Sequence, residues 1–200
     1  MGTGVSAGVI ESATSLTLLH RLSGGEDPLA WYDFDRRYSG FLHAVLAARG
    51  VHPTDRDDIV QDVLTSLVRS MPRFRYDRER GRFRAYLKTV VLRAMAQRRR
   101  SLPISLGAQD VASTALGDEA FEAIWDAQWR RHHAQTALAT LRSRISDLDR
   151  AVFDDYAIRS QSATTVAHEH GVSVERVYRI KSDLLAQLSQ IIERQVDEEG

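Results

Sequence analysis

The chain has 200 residues, enough for one medium-sized domain or two small ones, and 43% hydrophobic residues give it material for a core. The absence of cysteine excludes disulfides and thiolate metal sites. No apolar run approaches the roughly 20 residues of a membrane span and the N-terminus lacks a secretion signal, so we expect a cytoplasmic protein without membrane insertion.

The formal net charge of zero hides a division between the two halves of the chain. Residues 1–105 carry 17 Lys and Arg against 11 Asp and Glu, whereas residues 106–200 carry 10 against 16. The most basic stretch, residues 69–100, carries 12 against 2. This division indicates two units, of which the first has an anionic partner.

Apolar residues recur at helical spacing in the first half, and no useful length alternates with period two. Asp27 and Pro28 predict the start of a helix that Gly50 ends. A second helix is predicted from Thr54 to the residue before Pro72, and a third over 82–100. The fold class is therefore expected to be all-α.

Residues 101–119 mix Pro, Gly and Ser without a period and predict a flexible linker. Phe121, Ile124, Trp125 and Trp129 mark a further helix, which we expect to pack on the C-terminal unit. The remaining helices of that unit are predicted near 147–158, 162–169 and 174–195. The expected organisation is a disordered N-terminus (1–14), a helical domain (15–100), the linker and a second helical domain (120–200).

The stretch TTVAHEHGVSVERVYRIKSDLL is typical of a helix-turn-helix. Ala167 allows two helices to cross closely, Gly171 can take a positive φ in the turn, and Ser173 can cap the second helix. Val177 and Ile180 face the core, and such a helix can reach base edges in a major groove. The residues that this leaves largely outward are Glu175, Arg176, Tyr178, Arg179, Lys181 and Ser182. A plain helical hairpin with a solvated second helix is the alternative interpretation.

Four aspartates stand at the start of the second helix, in TDRDDIVQDVLTSL. The helix dipole favours carboxylates in the first turn, which accounts for Asp55 and Asp57 but not for Asp62, about two turns into the helix. Asp58, Gln61 and Asp62 share a face beside Ile59. This face is either a solvated helix start or a docking surface for a basic partner.

The stretch MPRFRYDRERGRFRAYL combines arginines with aromatic rings. Phe83 and Leu87 belong to the inner stripe of the third helix, whereas the preceding residues have the chemistry of a loop. Arginines can neutralise phosphates, and rings can stack on unpaired bases. We therefore favour a surface for single-stranded nucleic acid over a merely solvated basic face.

Together, DDIVQDV, the following RFRAYLKTV and the terminal helix-turn-helix resemble the extracytoplasmic-function (ECF) sigma factors of bacterial RNA polymerase. In this family the second and fourth sigma regions are joined by a linker. The resemblance implies a sigma factor that directs core polymerase to promoters and promotes DNA opening, without enzymatic activity or cofactors. Its implied partners are the clamp helices and flap of core polymerase, promoter DNA and an anti-sigma factor.

The resemblance also implies three sets of site residues. The residues expected to dock on core polymerase are Asp57, Asp58, Ile59, Gln61 and Asp62. Those expected to hold the opened −10 element are Arg73, Phe74, Arg75, Tyr76, Arg82, Arg84, Tyr86, Lys88 and Arg93. Those expected to read the −35 duplex are Ser173, Glu175, Arg176, Tyr178, Arg179, Lys181 and Ser182.

The chain departs from the family pattern at Leu92-Arg93 and at Asp183, which bears on promoter sequence. The main alternative is a helix-turn-helix regulator that binds duplex DNA without docking on polymerase, and another is a protein that mimics a sigma factor to sequester a partner. An enzyme with a metal site among His132, His133, His168 and His170 is disfavoured. Residues 168 and 170 point to different sides of a helix, and surface histidines are the preferred interpretation.

Overall fold

A computed structural model describes residues 15–24, 27–73, 83–101 and 118–199. These residues form helices without any strand, which confirms the all-α prediction. The predicted disordered N-terminus and most of the predicted linker lie outside the described residues. The helices are α1 (Ser15–Ser23), α2 (Pro28–Ala48), α3 (Pro53–Ser70), α4 (Phe83–Ser101), α5 (Asp118–Arg142), α6 (Asp147–Phe153), α7 (Ala163–His170) and α8 (Val174–Glu199).

The boundaries of α2 follow from the residues that predicted them. The Asp27 side chain accepts a hydrogen bond from the Ala30 amide at 3.0 Å, and Pro28 occupies the first turn, where its missing N–H costs nothing. Gly50 follows the helix with a φ of +84°, which side chains disfavour. The first predicted helix is therefore confirmed at both ends.

Short irregular helices extend two of these elements. One turn of 3-10 helix, Met71–Arg73, follows α3, and a π-helical turn, Asp154–Ile158, continues α6. The predicted helix over 147–158 therefore exists, but its second half has the wider π-helical winding. None of the described helices is long and apolar enough to cross a membrane.

The described residues divide into two compact units, one ending at His132 and the other running from His133 to Asp197. The core of the N-terminal unit combines the apolar stripes of α2, α3 and α4 with α1 and the first half of α5. Phe83 and Leu87 are fully buried in it, as the sequence predicted. Helix α1 was not predicted; Leu18, Leu19 and Leu22 carry its contribution to the core.

The expectation that the tryptophan-bearing helix packs on the C-terminal unit is wrong for the first half of α5, which carries the tryptophans. Phe121, Trp125 and Trp129 belong to the core of the N-terminal unit, where the Phe41 ring lies edge-on to the two indoles at 4.9 and 5.1 Å. Their spacing of four residues puts all three on one face of α5. Because large rings bury the most apolar area, this face fixes α5 to the N-terminal unit.

The core of the C-terminal unit contains residues from α5 after His133 and from α6, α7 and α8. Ser146 caps α6 and Ser162 caps α7, each by accepting a hydrogen bond from the amide three residues later. Val166, Val177 and Leu184 are buried between the helices. The helices predicted at 162–169 and 174–195 are confirmed.

Candidate nucleic-acid and protein interfaces

The start of α3 presents most of the predicted docking residues to solvent. Asp57, Asp58, Gln61 and Asp62 are exposed, and they lie within the first three turns of the helix. Ile59 differs from its predicted role because its side chain is only 3% exposed and packs in the core. In this conformation the Ile59 side chain packs beneath the acidic face and is not accessible to a partner.

Cations of the same unit already engage part of this acidic face. His43 Nε2 lies 2.8 Å from Asp57, and Arg98 lies 2.6 Å from Asp58 and 3.0 Å from Asp55. The hydrogen bond to Asp57 raises the pKa of His43 above its usual value of 6.5. Asp62 has no ion-pair partner among the described residues, so Asp62 and its neighbour Gln61 form the most open part of the face.

The predicted −10 residues fall into three groups. Phe74, Arg75, Tyr76 and Arg82 lie outside the described residues. Arg73, in the 3-10 turn, and Arg93, on α4, are exposed. Arg84, Tyr86 and Lys88 also lie on α4, but each is half-buried and has a partner within the unit.

Tyr86 contributes to the packing of the N-terminal unit. Its hydroxyl is hydrogen-bonded to the Ser70 hydroxyl at the end of α3, and its ring lies against Phe83 with a centroid separation of 6.5 Å. The hydrogen bond joins the start of α4 to the end of α3, the two helices that flank residues 74–82, the arginine-aromatic segment, in the sequence. A ring held in this way has a structural role beside the predicted stacking role.

Arg84 and Lys88, which we call the α4 cation pair, are each bound by a carboxylate of α5. Arg84 pairs with Asp126, and Lys88 pairs with Glu122. The Arg84 guanidinium also lies 5.8 Å from the centre of the Trp129 ring. Glu122 and Asp126, the α5 acid pair, were not among the residues that the sequence predicted for any site.

The turn between α7 and α8 has the predicted helix-turn-helix geometry. Gly171 adopts a left-handed conformation with a φ of +63°, and the Ser173 hydroxyl accepts a hydrogen bond from the Arg176 amide at 3.2 Å. Ala167, Val177 and Ile180 are buried, as their positions predicted. His170 stands where an apolar residue is expected and bonds Asp155 at 2.7 Å instead.

The residues predicted to read duplex DNA lie on the outer side of α8. Ser173, Glu175, Arg176, Tyr178, Arg179 and Ser182 are exposed. Lys181 is half-buried, because its ammonium group lies 5.0 Å from the centre of the Tyr156 ring. Arg176 approaches Asp149 only to 3.8 Å, which leaves its guanidinium largely available.

Of the four histidines considered for a metal site, His168 is exposed as expected, whereas His132 and His133 differ from the surface positions expected of them. His132 and His133 are 7% and 1% exposed, and His133 Nδ1 lies 3.3 Å from Gln195 Oε1. His170 belongs with Asp155 and Glu169 to a group whose possible ligand atoms lie within 4.8 Å of one another. Arg159 also binds Asp155 at 2.5 Å, and the hydrogen bonds from His170 and Arg159 lower the pKa of Asp155. We interpret the group as a structural connection between the π-helical turn and α7.

Residues 34–102 match the family model of sigma-70 region 2. The match covers α2 from Phe34, all of α3 and α4, and therefore both the acidic face and the α4 cation pair. The N-terminal unit thus contains a sigma-70 region 2 domain. This match supports an RNA polymerase sigma factor, and a regulator that acts without polymerase is not favoured.

No curated protein matches the sequence. The solved structure of CnrH in complex with the cytosolic domain of CnrY is similar at 22% sequence identity and a TM-score of 0.36. That alignment covers 89% of this chain and 96% of the CnrH chain. The identification of a region 2 domain rests on the match over residues 34–102.

Proposed function

We propose that the chain is a sigma factor of the ECF type, in which a region 2 domain and a region 4-like helix-turn-helix domain contact different promoter elements. The region 2 match over 34–102 is the observation that carries the proposal. The helix-turn-helix at the other end of the chain, with its outward polar face on α8, supports the second domain. The protein then acts in the cytoplasm, where polymerase is found, without catalysing a reaction itself.

The acidic face of α3 is the proposed contact with the clamp helices of the largest polymerase subunit. Its exposed carboxylates suit a basic partner because complementary charge steers encounter and fixes the register of docking. Gln61 and Asp62 are the sharpest candidates for direct contact, since they are exposed and Asp62 has no ion-pair partner among the described residues. Asp57 and Asp58 would have to exchange or share their contacts with His43 and Arg98.

The basic side of α4 and the preceding arginine-aromatic segment are the proposed −10 surface. Capture of an opened strand needs cations for the phosphates and rings for the unstacked bases. Arg73 and Arg93 are exposed for such contacts, and Arg84 and Lys88 lie between them in the sequence. Binding of the opened strand shifts the melting equilibrium of the promoter without covalent chemistry.

The N-terminal turns of α8 are the proposed −35 contact. A recognition helix places its first residues against base edges in the major groove, while neighbouring cations bind phosphates. Arg176, Tyr178 and Arg179 are exposed on these turns. Core polymerase, through its clamp helices and flap, would hold both domains at the spacing of the two elements and so raise their effective concentration. An anti-sigma protein is a further partner that the ECF type implies.

The test is binding of the full-length chain to bacterial core RNA polymerase. Gln61→Arg together with Asp62→Lys reverses the charge of the open part of the acidic face and should weaken binding at least about tenfold, because like charges would then meet. Gln190→Arg with Glu193→Lys on α8 is the matched control, since both positions are exposed and the charge change is the same. The control should bind as the unmodified chain does.

Two outcomes count against this account. Failure of the unmodified chain to bind core polymerase would contradict the function itself. Equal loss in both variants, or loss in neither, would retain the function and contradict the assignment of the docking face to α3.

A further inference from the structure

The pairing between α4 and α5 has a regular geometry. Arg84 and Lys88 are four residues apart, and so are Asp126 and Glu122, so each pair lies on one face of its helix. The partners match in reverse order, which means that the two helices run antiparallel at this contact. Two carboxylates at this spacing present their charges to the cation pair at neighbouring positions, as two phosphates of a nucleic-acid strand would.

The cations are more enclosed than the carboxylates that bind them. The side chains of Arg84 and Lys88 are 29% and 23% exposed, whereas those of Asp126 and Glu122 are 44% and 52% exposed. The carboxylates are therefore the more accessible members of both ion pairs. A phosphate that binds Arg84 or Lys88 has to compete with them.

Energetics decide whether DNA displaces the helix or only its carboxylates. Phe121, Trp125 and Trp129 are at most 4% exposed, and full burial of a large apolar side chain contributes about 1.5–3 kcal/mol. An exposed ion pair contributes only about 0–1 kcal/mol. Exchange of a carboxylate for a phosphate at an unmoved α5 is therefore much the cheaper route.

We infer that Glu122 and Asp126 are built-in competitors of nucleic acid, which occupy Lys88 and Arg84 in the free protein and weaken its binding to an opened strand. The inference rests on the proposed role of these two cations in DNA contact. Phosphates replace the carboxylates when polymerase holds the strand at high effective concentration. The α5 acid pair thereby makes strand capture depend more strongly on polymerase, with no movement of the helix.

The test measures binding of the full-length protein, without polymerase, to a fluorescein-labelled single strand of about 12 nucleotides of mixed sequence. Glu122→Gln with Asp126→Asn keeps the shape of both side chains and removes their charge. We expect about fivefold tighter binding at low salt. The slope of log affinity against log salt should steepen by about 1.4, because each additional phosphate contact to a single strand contributes about 0.7.

The matched control separates this effect from net charge. Glu193→Gln with Asp197→Asn removes two exposed acidic charges from α8 and should change the salt slope little. Affinity or slope that changes equally in both variants would overturn the inference. Glu122→Gln alone is the milder substitution, at the more exposed position, and should give about half of the slope change.

A double-mutant cycle tests the coupling directly. Arg84→Gln with Lys88→Gln is introduced into two backgrounds, the unmodified chain and the chain with Glu122→Gln and Asp126→Asn. Strand affinity should fall by a clearly larger factor in the second background, where the α5 acid pair is absent. Equal costs in the two backgrounds would show that the cations are not occupied, and would overturn the inference.

Binding to core polymerase, measured on the same preparations, separates the two proposals. If the chain binds polymerase but the coupling is absent, the proposed function is supported and the inference is contradicted. If the coupling is present but the chain does not bind polymerase, the competition is supported and the proposed function is contradicted.

Discussion

The two surfaces proposed to contact DNA differ in how far their polar groups are already engaged. On α8, Arg179 and Tyr178 are exposed, and the Arg176 guanidinium is 3.8 Å from its nearest carboxylate. On α4, Arg84 and Lys88 are each held by an acidic residue of α5. A helix that reads duplex DNA can keep its polar groups unoccupied, because weak binding to a duplex does not separate the strands. A strand-capturing surface that remained open would bind any exposed single strand.

The difference between the two surfaces originates in α5, whose first half belongs to the N-terminal unit. Among the substitutions that test this position of α5, Trp125→Ala should have the largest effect on stability, because the Trp125 ring is fully buried. Removal should destabilise the N-terminal unit by about 3–5 kcal/mol. Hydrogen exchange should show lost protection in α2, α3 and α4, with α7 and α8 little changed. Leu184→Ala in the C-terminal core should give the reverse pattern, with protection lost in α7 and α8. Loss of protection confined to α7 and α8 in Trp125→Ala would contradict the position of α5.

An intermediate effect is expected at Asp155, which joins the π-helical turn to α7 through His170 and also binds Arg159. Asp155→Asn should lower the free energy of unfolding of the C-terminal unit by about 1–3 kcal/mol at about pH 6. Because folding lowers the pKa of Asp155 below its usual 3.8, this contribution is present above that value and is lost as the pH falls through the lower folded value.

Denaturation curves of Asp155→Asn and the unmodified chain should therefore converge as the pH falls below 3.8 and through the lower folded pKa of Asp155. Asp147→Asn, at an exposed carboxylate of α6, is the control and should have little effect. A difference between Asp155→Asn and the unmodified chain that persists unchanged in acid would show that the ion pairs are not its source.

The smallest pair of effects has opposite signs in the two units. Gly171 has a φ of +63°, so Gly171→Ala should destabilise the helix-turn-helix by about 1–2 kcal/mol, although nothing lies within 4 Å of an added methyl group. Gly40 lies inside α2 with equal space around it, so Gly40→Ala should stabilise its unit by about 0.5–1 kcal/mol. Thermal unfolding of both variants checks this, and the same sign for both would contradict the backbone argument.

The sequence predicted local features well. The helix boundaries at Asp27, Gly50 and Gly171 followed from capping and left-handed conformations, which depend on a few neighbouring residues. Buried positions such as Phe83 and Val177 followed from helical spacing. Helix α1 was missed although Leu18, Leu19 and Leu22 have helical spacing, because the segment is short.

Contacts between distant segments were not predicted. Arg84 and Asp126 are 42 residues apart, and residues 102–117 between their helices give no sign of how the chain returns. The available signal was the equal spacing of the two charge pairs, together with three aromatic residues on one face of α5. Buried His132 and His133 were misjudged because adjacent polar residues usually lie at the surface, whereas here both lie within packed helices.

The central claim, that this chain directs polymerase to promoters, is tested most directly by reconstituted transcription. Core polymerase and fragmented genomic DNA are incubated with and without the full-length protein, and the 5′ ends of the transcripts are mapped. The account predicts new start sites that depend on the protein and share sequence elements near −10 and −35. Binding to core polymerase without any new start site, in the absence of an inhibitor, would contradict it.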